Sequence, residues 1–183
     1  MARNVQNLSQ KQLLTNRYNS ARVDLLLIVL FTVVNVVLQF VSADTYFLFS
    51  ASIPFYITVY AMLFCGKYPP EYYGDAYAEW EAAGFYPDTV LYVALAIAAV
   101  ILAVYLLCFF LSKNGKSGWL VLALVMFIAD TIGLVLLGDL ANSVVDLIFH
   151  ALVIGVLVSG ILSASKLKKL PEEEEEKKGL FGF

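Results

Sequence analysis

Residues 118–165 read GWLVLALVMFIADTIGLVLLGDLANSVVDLIFHALVIGVLVSGILSAS, and this stretch decides the fold. It holds two apolar runs, 119–137 and 143–164, joined by Gly138, Asp139, Leu140, Ala141 and Asn142. Crossing the hydrocarbon core of a bilayer takes ~20 apolar helical residues, so each run is long enough to span. Within the runs sit Asp130, Asp146 and His150, the single histidine of the chain. An ionisable group at that depth costs at least ~2.5–3.5 kcal/mol to insert, which makes each a candidate functional residue.

Counting fixes the relation between them. With Leu140 as midpoint, Asp130 lies ten residues before it and His150 ten after. Antiparallel helices of equal rise then bring the two side chains to one depth, ~12 Å below the turn. Asp146 stands one turn from His150 on the same face, nearer the connecting turn and so nearer the mouth of a polar pocket open to the outside. Another face of the last helix carries Ala151, Gly155, Ser159 and Ser163, a stripe of small residues at spacing four that favours close helix packing in membranes.

Working outward, the whole chain has the same character. Its 183 residues are 61% hydrophobic, with a mean hydropathy of +0.79, and the apolar residues fall in blocks of about twenty. This is the composition of one polytopic helical membrane domain, with the lipid bilayer as its principal partner. The net charge of −3 is more than supplied by the five glutamates at 172–176. No basic stripe points to nucleic acid, and the polar first twenty residues do not read as a cleaved signal peptide. Cys65 and Cys108 both lie in apolar runs and are expected at opposite faces of the membrane, unpaired.

Residues 1–22 form a polar cytoplasmic segment with Arg3, Lys11, Arg17 and Arg22. Ser9 and Gln12 fit a capping box, so a short amphipathic helix from Gln10 to about Arg17 is one reading, with Leu13, Leu14 and Tyr18 inward; a solvated tail is the other. The transmembrane domain is 23–165. Its first span is 23–41, with Asn35 and Gln39 one turn apart, placed either for interhelical hydrogen bonds or beside a polar path. The run 46–65 follows a very short link and is interrupted at Pro54, with Ser50 and Ser52 just before it.

The basic residues choose the topology. If all five runs cross, the two sides hold five and seven Lys or Arg. If 46–65 is a re-entrant or flat-lying hairpin on the outer leaflet, the cytoplasmic side holds eleven and the outer side only Lys67. The positive-inside bias selects the second arrangement. The expected fold is therefore all-α: four spans (23–41, 89–111, 119–137, 143–164), the hairpin, and both termini cytoplasmic, in the plasma membrane.

Residues 66–88 make an external loop with Glu71, Asp75, Glu79, Glu81 and Asp88 against one Lys. Its aromatics suit either a headgroup belt or an acidic aromatic lid that attracts a cation to ring faces. Asp75 is placed to cap a short helix ending at Ala83. The tail, 166–183, opens with a basic collar of Lys166, Lys168 and Lys169 suited to anionic lipid. It ends in Gly179–Phe183 aromatics that offer a docking point for a protein partner; association with a second copy of the chain is also open.

The polar centre admits several chemistries. Asp130 with His150 is a structural pair locking the hairpin, or a proton or ion relay, since His titrates nearest neutrality. One His and no convergent Cys argue against a tight transition-metal site, and no cofactor is implied. Ser50 or Ser52 with His150 and Asp130 are the residue types of a hydrolytic triad, but no G-x-S-x-G elbow surrounds either serine. The functional expectation is a small transport component (carrier, channel or accessory subunit) centred on Asp130, His150 and Asp146, with Asn35 and Gln39 alongside. A non-catalytic scaffold or regulatory partner is the alternative, and an intramembrane enzyme ranks last.

Overall fold

The computed structural model describes residues 2–43, 45–138 and 144–170, with side chains from residue 10 onward. The expectations for the turn residues 139–143 and for the acidic tail and its terminal aromatics lie outside the described residues. Within them the fold is all-helical, with four helices long and apolar enough to cross a membrane.

The first of these, α1, runs without interruption from Ala2 to Phe40. No separate surface helix precedes it, because 2–40 contains neither Gly nor Pro and the helix has no reason to stop. Leu14 and Tyr18 are buried, whereas Leu13 is half-exposed. The Tyr18 hydroxyl donates to the Ser112 carbonyl. Arg22 donates from Nε to Ser112 Oγ (3.0 Å) and from Nη2 to the Phe109 carbonyl (3.1 Å), with its guanidinium over the Phe109 ring. A cation thus sits where the next long helix ends and its last carbonyls lack partners.

The second helix, α2 (Ser52–Phe64), is only 13 residues long. Pro54 lies in its first turn, where a missing N–H costs no helical bond, so it starts a helix rather than breaking one. Residues 66–88 fold into two short helices, α3 (Pro70–Tyr73) and α4 (Tyr77–Ala83), with a 3₁₀ turn, Gly74–Ala76, between them. Asp75 lies in that turn and makes no side-chain cap for α4, whose N-cap position is Ala76. At its other end α4 stops at Gly84, whose φ of +80° an L side chain rarely adopts. The remaining long helices are α5 (Thr89–Leu111), α6 (Gly118–Leu137) and α7 (Val144–Leu167).

One core joins α1, α5, α6 and α7 through Leu25, Ile28, Tyr105, Leu120, Phe127 and Leu157. A second joins α2, the 66–88 segment and the start of α5 through Met62, Tyr68, Tyr73 and Leu91. Cys65 belongs to the second and Cys108 to the first, and both thiols are free. Outside the cores, large apolar side chains such as Leu30, Val100, Leu136 and Leu162 stand more than half exposed. Apolar surface all round a four-helix bundle suits lipid rather than water as the surrounding solvent.

α7 lies along α1, and the two come close at Gly160, where a Cβ would stand 2.3 Å from that of Ala21. The buried face of α7 is His150, Val153, Leu157, Gly160 and Ala164. Of the small-residue stripe, Ser163 is buried and Ser159 half-buried, while Ala151 and Gly155 are exposed. The stripe thus borders a groove between α1 and α7 instead of filling the contact between them.

Candidate polar site inside the bundle

The segment between α1 and α2 has irregular backbone that becomes buried at its end, at Ser50 and Ala51, where polar groups need partners. Side chains of the long helices supply them. Asn35 Oδ1 accepts from the Phe47 N–H at 2.8 Å, and Asn35 Nδ2 donates to the Phe47 carbonyl (2.8 Å) and to Ser50 Oγ (2.9 Å). Thr32 Oγ1 accepts from the Ala51 N–H at 2.7 Å while donating to the Ile28 carbonyl. Asp130 completes the set: Oδ2 accepts from the Ser52 N–H at 2.7 Å and Oδ1 from the Ile53 N–H at 2.8 Å.

These last two donors open α2. Ala51, at its N-cap, has no side chain that can cap it. A carboxylate from α6 does so instead, and it also lies against the positive end of the helix dipole. Close contact between the two helices is possible because Gly133 leaves room for Ile53; a Cβ there would stand 2.5 Å from Ile53 Cγ1. Further along, Tyr60 donates to the Leu137 carbonyl at 2.9 Å. The steps from Ser52 to Tyr60 and from Asp130 to Leu137 are each roughly 11–12 Å of helix, so the two helices run in parallel between these ties.

His150 meets this arrangement from α7. Its ring stacks on Phe127, with centroids 4.8 Å apart. Nδ1 lies 2.8 Å from the Asp146 carbonyl, an acceptor, so Nδ1 carries a proton. Nε2 stands 3.2 Å from Asp130 Oδ2 and 3.3 Å from Ser52 Oγ. Ser52, Asp130 and His150 are exposed by 0%, 2% and 1%. With Nδ1 already a donor, a hydrogen bond between Nε2 and Asp130 requires one more proton, either on the imidazole or on the carboxyl group. When neither holds it, Nε2 can accept only from Ser52. The centre therefore has two hydrogen-bonding states that differ by one proton.

The other expected site residues are placed as follows. Asp146 reaches His150 through its main chain, not its carboxylate, whose buried Oδ1 has no hydrogen-bond partner among the described residues. Ser50 bonds Asn35 and the Tyr46 hydroxyl (2.9 Å), away from His150. Gln39 Nε2 donates to the Tyr68 hydroxyl and joins the 66–88 segment, not the centre. Pro54 is buried beside Ser52, and its carbonyl accepts from Thr58. Thr32 and Tyr46 were not singled out from sequence. Thr32 had one legible signal, a hydroxyl three residues before Asn35 on the same helix face.

As a triad, the geometry is out of order. Ser52 and Asp130 compete for the same imidazole nitrogen, whereas an orienting carboxylate belongs on the other one. Among the described residues no three His, Cys, Asp or Glu side chains converge on a point. Comparison of the chain with protein-family models, with curated proteins and with solved structures found no match.

Proposed function

We propose that this protein is a small transport component of the plasma membrane, a carrier, channel or accessory subunit, in which Asp130 and His150 take up and release one proton. The observation that carries the reading is their 3.2 Å contact, deep among apolar helices, with one proton deciding its form. Ionisable groups are kept at such depth at a cost, and paired ones recur along proton and ion pathways. Asp146, with a buried oxygen unpartnered among the described residues, is the next station toward the mouth. In this arrangement α1, α5, α6 and α7 span, both termini are cytoplasmic, and 46–65 enters and leaves by the outer face. Two things support that topology: the eleven-to-one division of basic residues and the shortness of α2, whose 13 residues reach about 20 Å of a ~30 Å core.

A proteoliposome assay with an enclosed pH indicator tests this. Under an imposed pH gradient the wild type carries a pH-dependent flux, and Asp130→Asn and His150→Gln abolish it while helicity and elution profile are retained. A wild type without flux, or variants that conduct as well as it does, refutes the reading.

A specific observation favours a second reading, a non-catalytic scaffold or regulatory partner. Both oxygens of Asp130 are held by backbone N–H groups, so its carboxylate has a structural task whether or not a proton moves. On this reading Asp130→Asn loosens α2 and weakens co-purification of a membrane or cytoplasmic partner, and no flux exists to lose.

A further inference from the structure

The 66–88 segment and the end of α2 enclose a second feature, separate from the buried pair. Phe64, Trp80, Phe85 and Tyr86, with Ala83, Gly84 and Pro87, line a partly open cavity of about 480 Å³. That size is within the ~300–1,000 Å³ of small-molecule sites. The rings form a connected set: Phe64 to Trp80 at 5.8 Å between centroids, Phe64 to Tyr86 at 6.1 Å, and Trp80 to Phe85 at 6.4 Å with planes only 10° apart.

The backbone holds this set open. The Tyr86 N–H donates to the Phe64 carbonyl at 2.9 Å, fixing the returning strand of the loop against the end of α2. Gly66, at φ +66°, lets Phe85 lie where any Cβ would stand 2.7 Å from its ring. Tyr86 is 58% exposed and Phe64 38%, so these two rings are presented, while Trp80 and Phe85 are half-buried against the second core.

Charge states the sign of the occupant. The only cation of the segment, Lys67, is tied to Asp88 at 2.7 Å. Glu71, Asp75, Glu79 and Glu81 have no ion-pair partner among the described residues, and Glu79 and Glu81 flank Trp80 in the chain. The negative field raises the local concentration of cations. No carboxylate side chain lines the cavity itself, however. A metal ion needs oxygen ligands and a primary ammonium needs acceptors, so neither is well served there. A methylated quaternary ammonium has no N–H to satisfy and is attracted by ring faces within ~6 Å, so it fits both the walls and the field.

We propose that this cavity is an aromatic cage for a quaternary ammonium group, supplied either by a free solute or by a choline lipid headgroup. The inference is independent of proton movement at Asp130 and His150.

Trp80 and Trp119 are the two tryptophans of the chain, so Trp119→Phe leaves Trp80 as the fluorescent reporter. That full-length protein, in phosphatidylglycerol nanodiscs, is titrated with tetramethylammonium chloride and with sodium chloride at matched ionic strength. A saturable change in Trp80 emission with tetramethylammonium alone is expected. Tyr86→Phe keeps the curve, and Tyr86→Leu weakens it about tenfold. Phosphatidylcholine nanodiscs identify the source: a spectrum already at its bound value, with no further response, marks the lipid headgroup, and an unchanged curve marks a free solute. An identical response to sodium, a non-saturating one, or a Tyr86→Leu curve that matches the parent overturns the proposal. If the leucine variant does not fold, the comparison of tetramethylammonium with sodium decides it.

Discussion

Asp130 and Ser52 stand 78 positions apart in the chain, and the carboxylate of one caps the helix that begins at the other. The second oxygen takes the N–H of Ile53, so two of the unsatisfied donors at the start of α2 end on one side chain. Asp130→Ala leaves the buried Ser52 N–H and the half-buried Ile53 N–H without an acceptor. At ~1–3 kcal/mol for each unsatisfied donor, the expected loss is about 2–6 kcal/mol. Asp130→Asn keeps one acceptor and should lose about half as much. Thermal unfolding in detergent, followed by helicity, measures both, and an alanine variant as stable as the wild type would show that water reaches these donors.

The same reasoning extends to the two residues that hold the segment before α2. Thr32→Val removes the acceptor of the Ala51 N–H at nearly constant volume, and the expected cost is about 1–3 kcal/mol. Asn35→Leu strips partners from both the N–H and the carbonyl of Phe47, and should cost more. Protease accessibility of residues 45–51 should rise in both variants before the long helices unfold. Simultaneous loss of α1 and this segment would contradict a locally anchored loop.

How much of this was legible beforehand differs residue by residue. The depth match of Asp130 and His150 follows from counting, because two antiparallel helices share one rise, and the pair stands 3.2 Å apart. The continuity of α1 was missed: the polar character of 1–22 suggested a separate segment, although 2–40 contains no helix breaker. The capping of α2 was not legible, because nothing local links Ser52 to a residue 78 positions on. Pro54 read as an interruption for the same reason: whether a proline breaks or begins a helix depends on where the helix starts, and here a distant carboxylate sets that point. The sequence also presented Asp146 as a side chain facing His150, while the contact comes from its carbonyl, a group every residue carries.

Helix packing gives a further contrast. Ala151, Gly155, Ser159 and Ser163 recur at spacing four, but which small residue meets α1 depends on how the two helices slide, and that residue is Gly160. Gly160→Ala forces its new methyl against Ala21 and should destabilise the bundle by about 1–3 kcal/mol. Ala21→Gly in the same chain should recover part of that loss, a coupling that a double-mutant cycle reads directly. Gly155→Ala meets nothing within 4 Å and should be neutral or slightly stabilising. If two copies associate through the exposed end of the stripe, at Ala151 and Gly155, Gly155→Leu disperses the oligomer in cross-linking without lowering the melting temperature of the monomer.

The last prediction concerns alkaline pH. Tyr68 is buried beside Tyr72, and burial, then that neighbour, push its hydroxyl up to about 12, against a partly opposing hydrogen bond with Gln39. A phenol whose folded value exceeds its unfolded value of about 10 binds its proton more tightly when folded. Its contribution is fully present below pH 10 and is lost as pH climbs through about 12. Stability should therefore fall across that window, and the fall should be shallower in Tyr68→Phe. The phenylalanine variant starts lower at neutral pH, because Gln39 loses its acceptor. Unfolding measured from neutral to strongly alkaline pH should bring the two curves together. Parallel curves would mean that Tyr68 ionises as freely in the fold as in the unfolded chain.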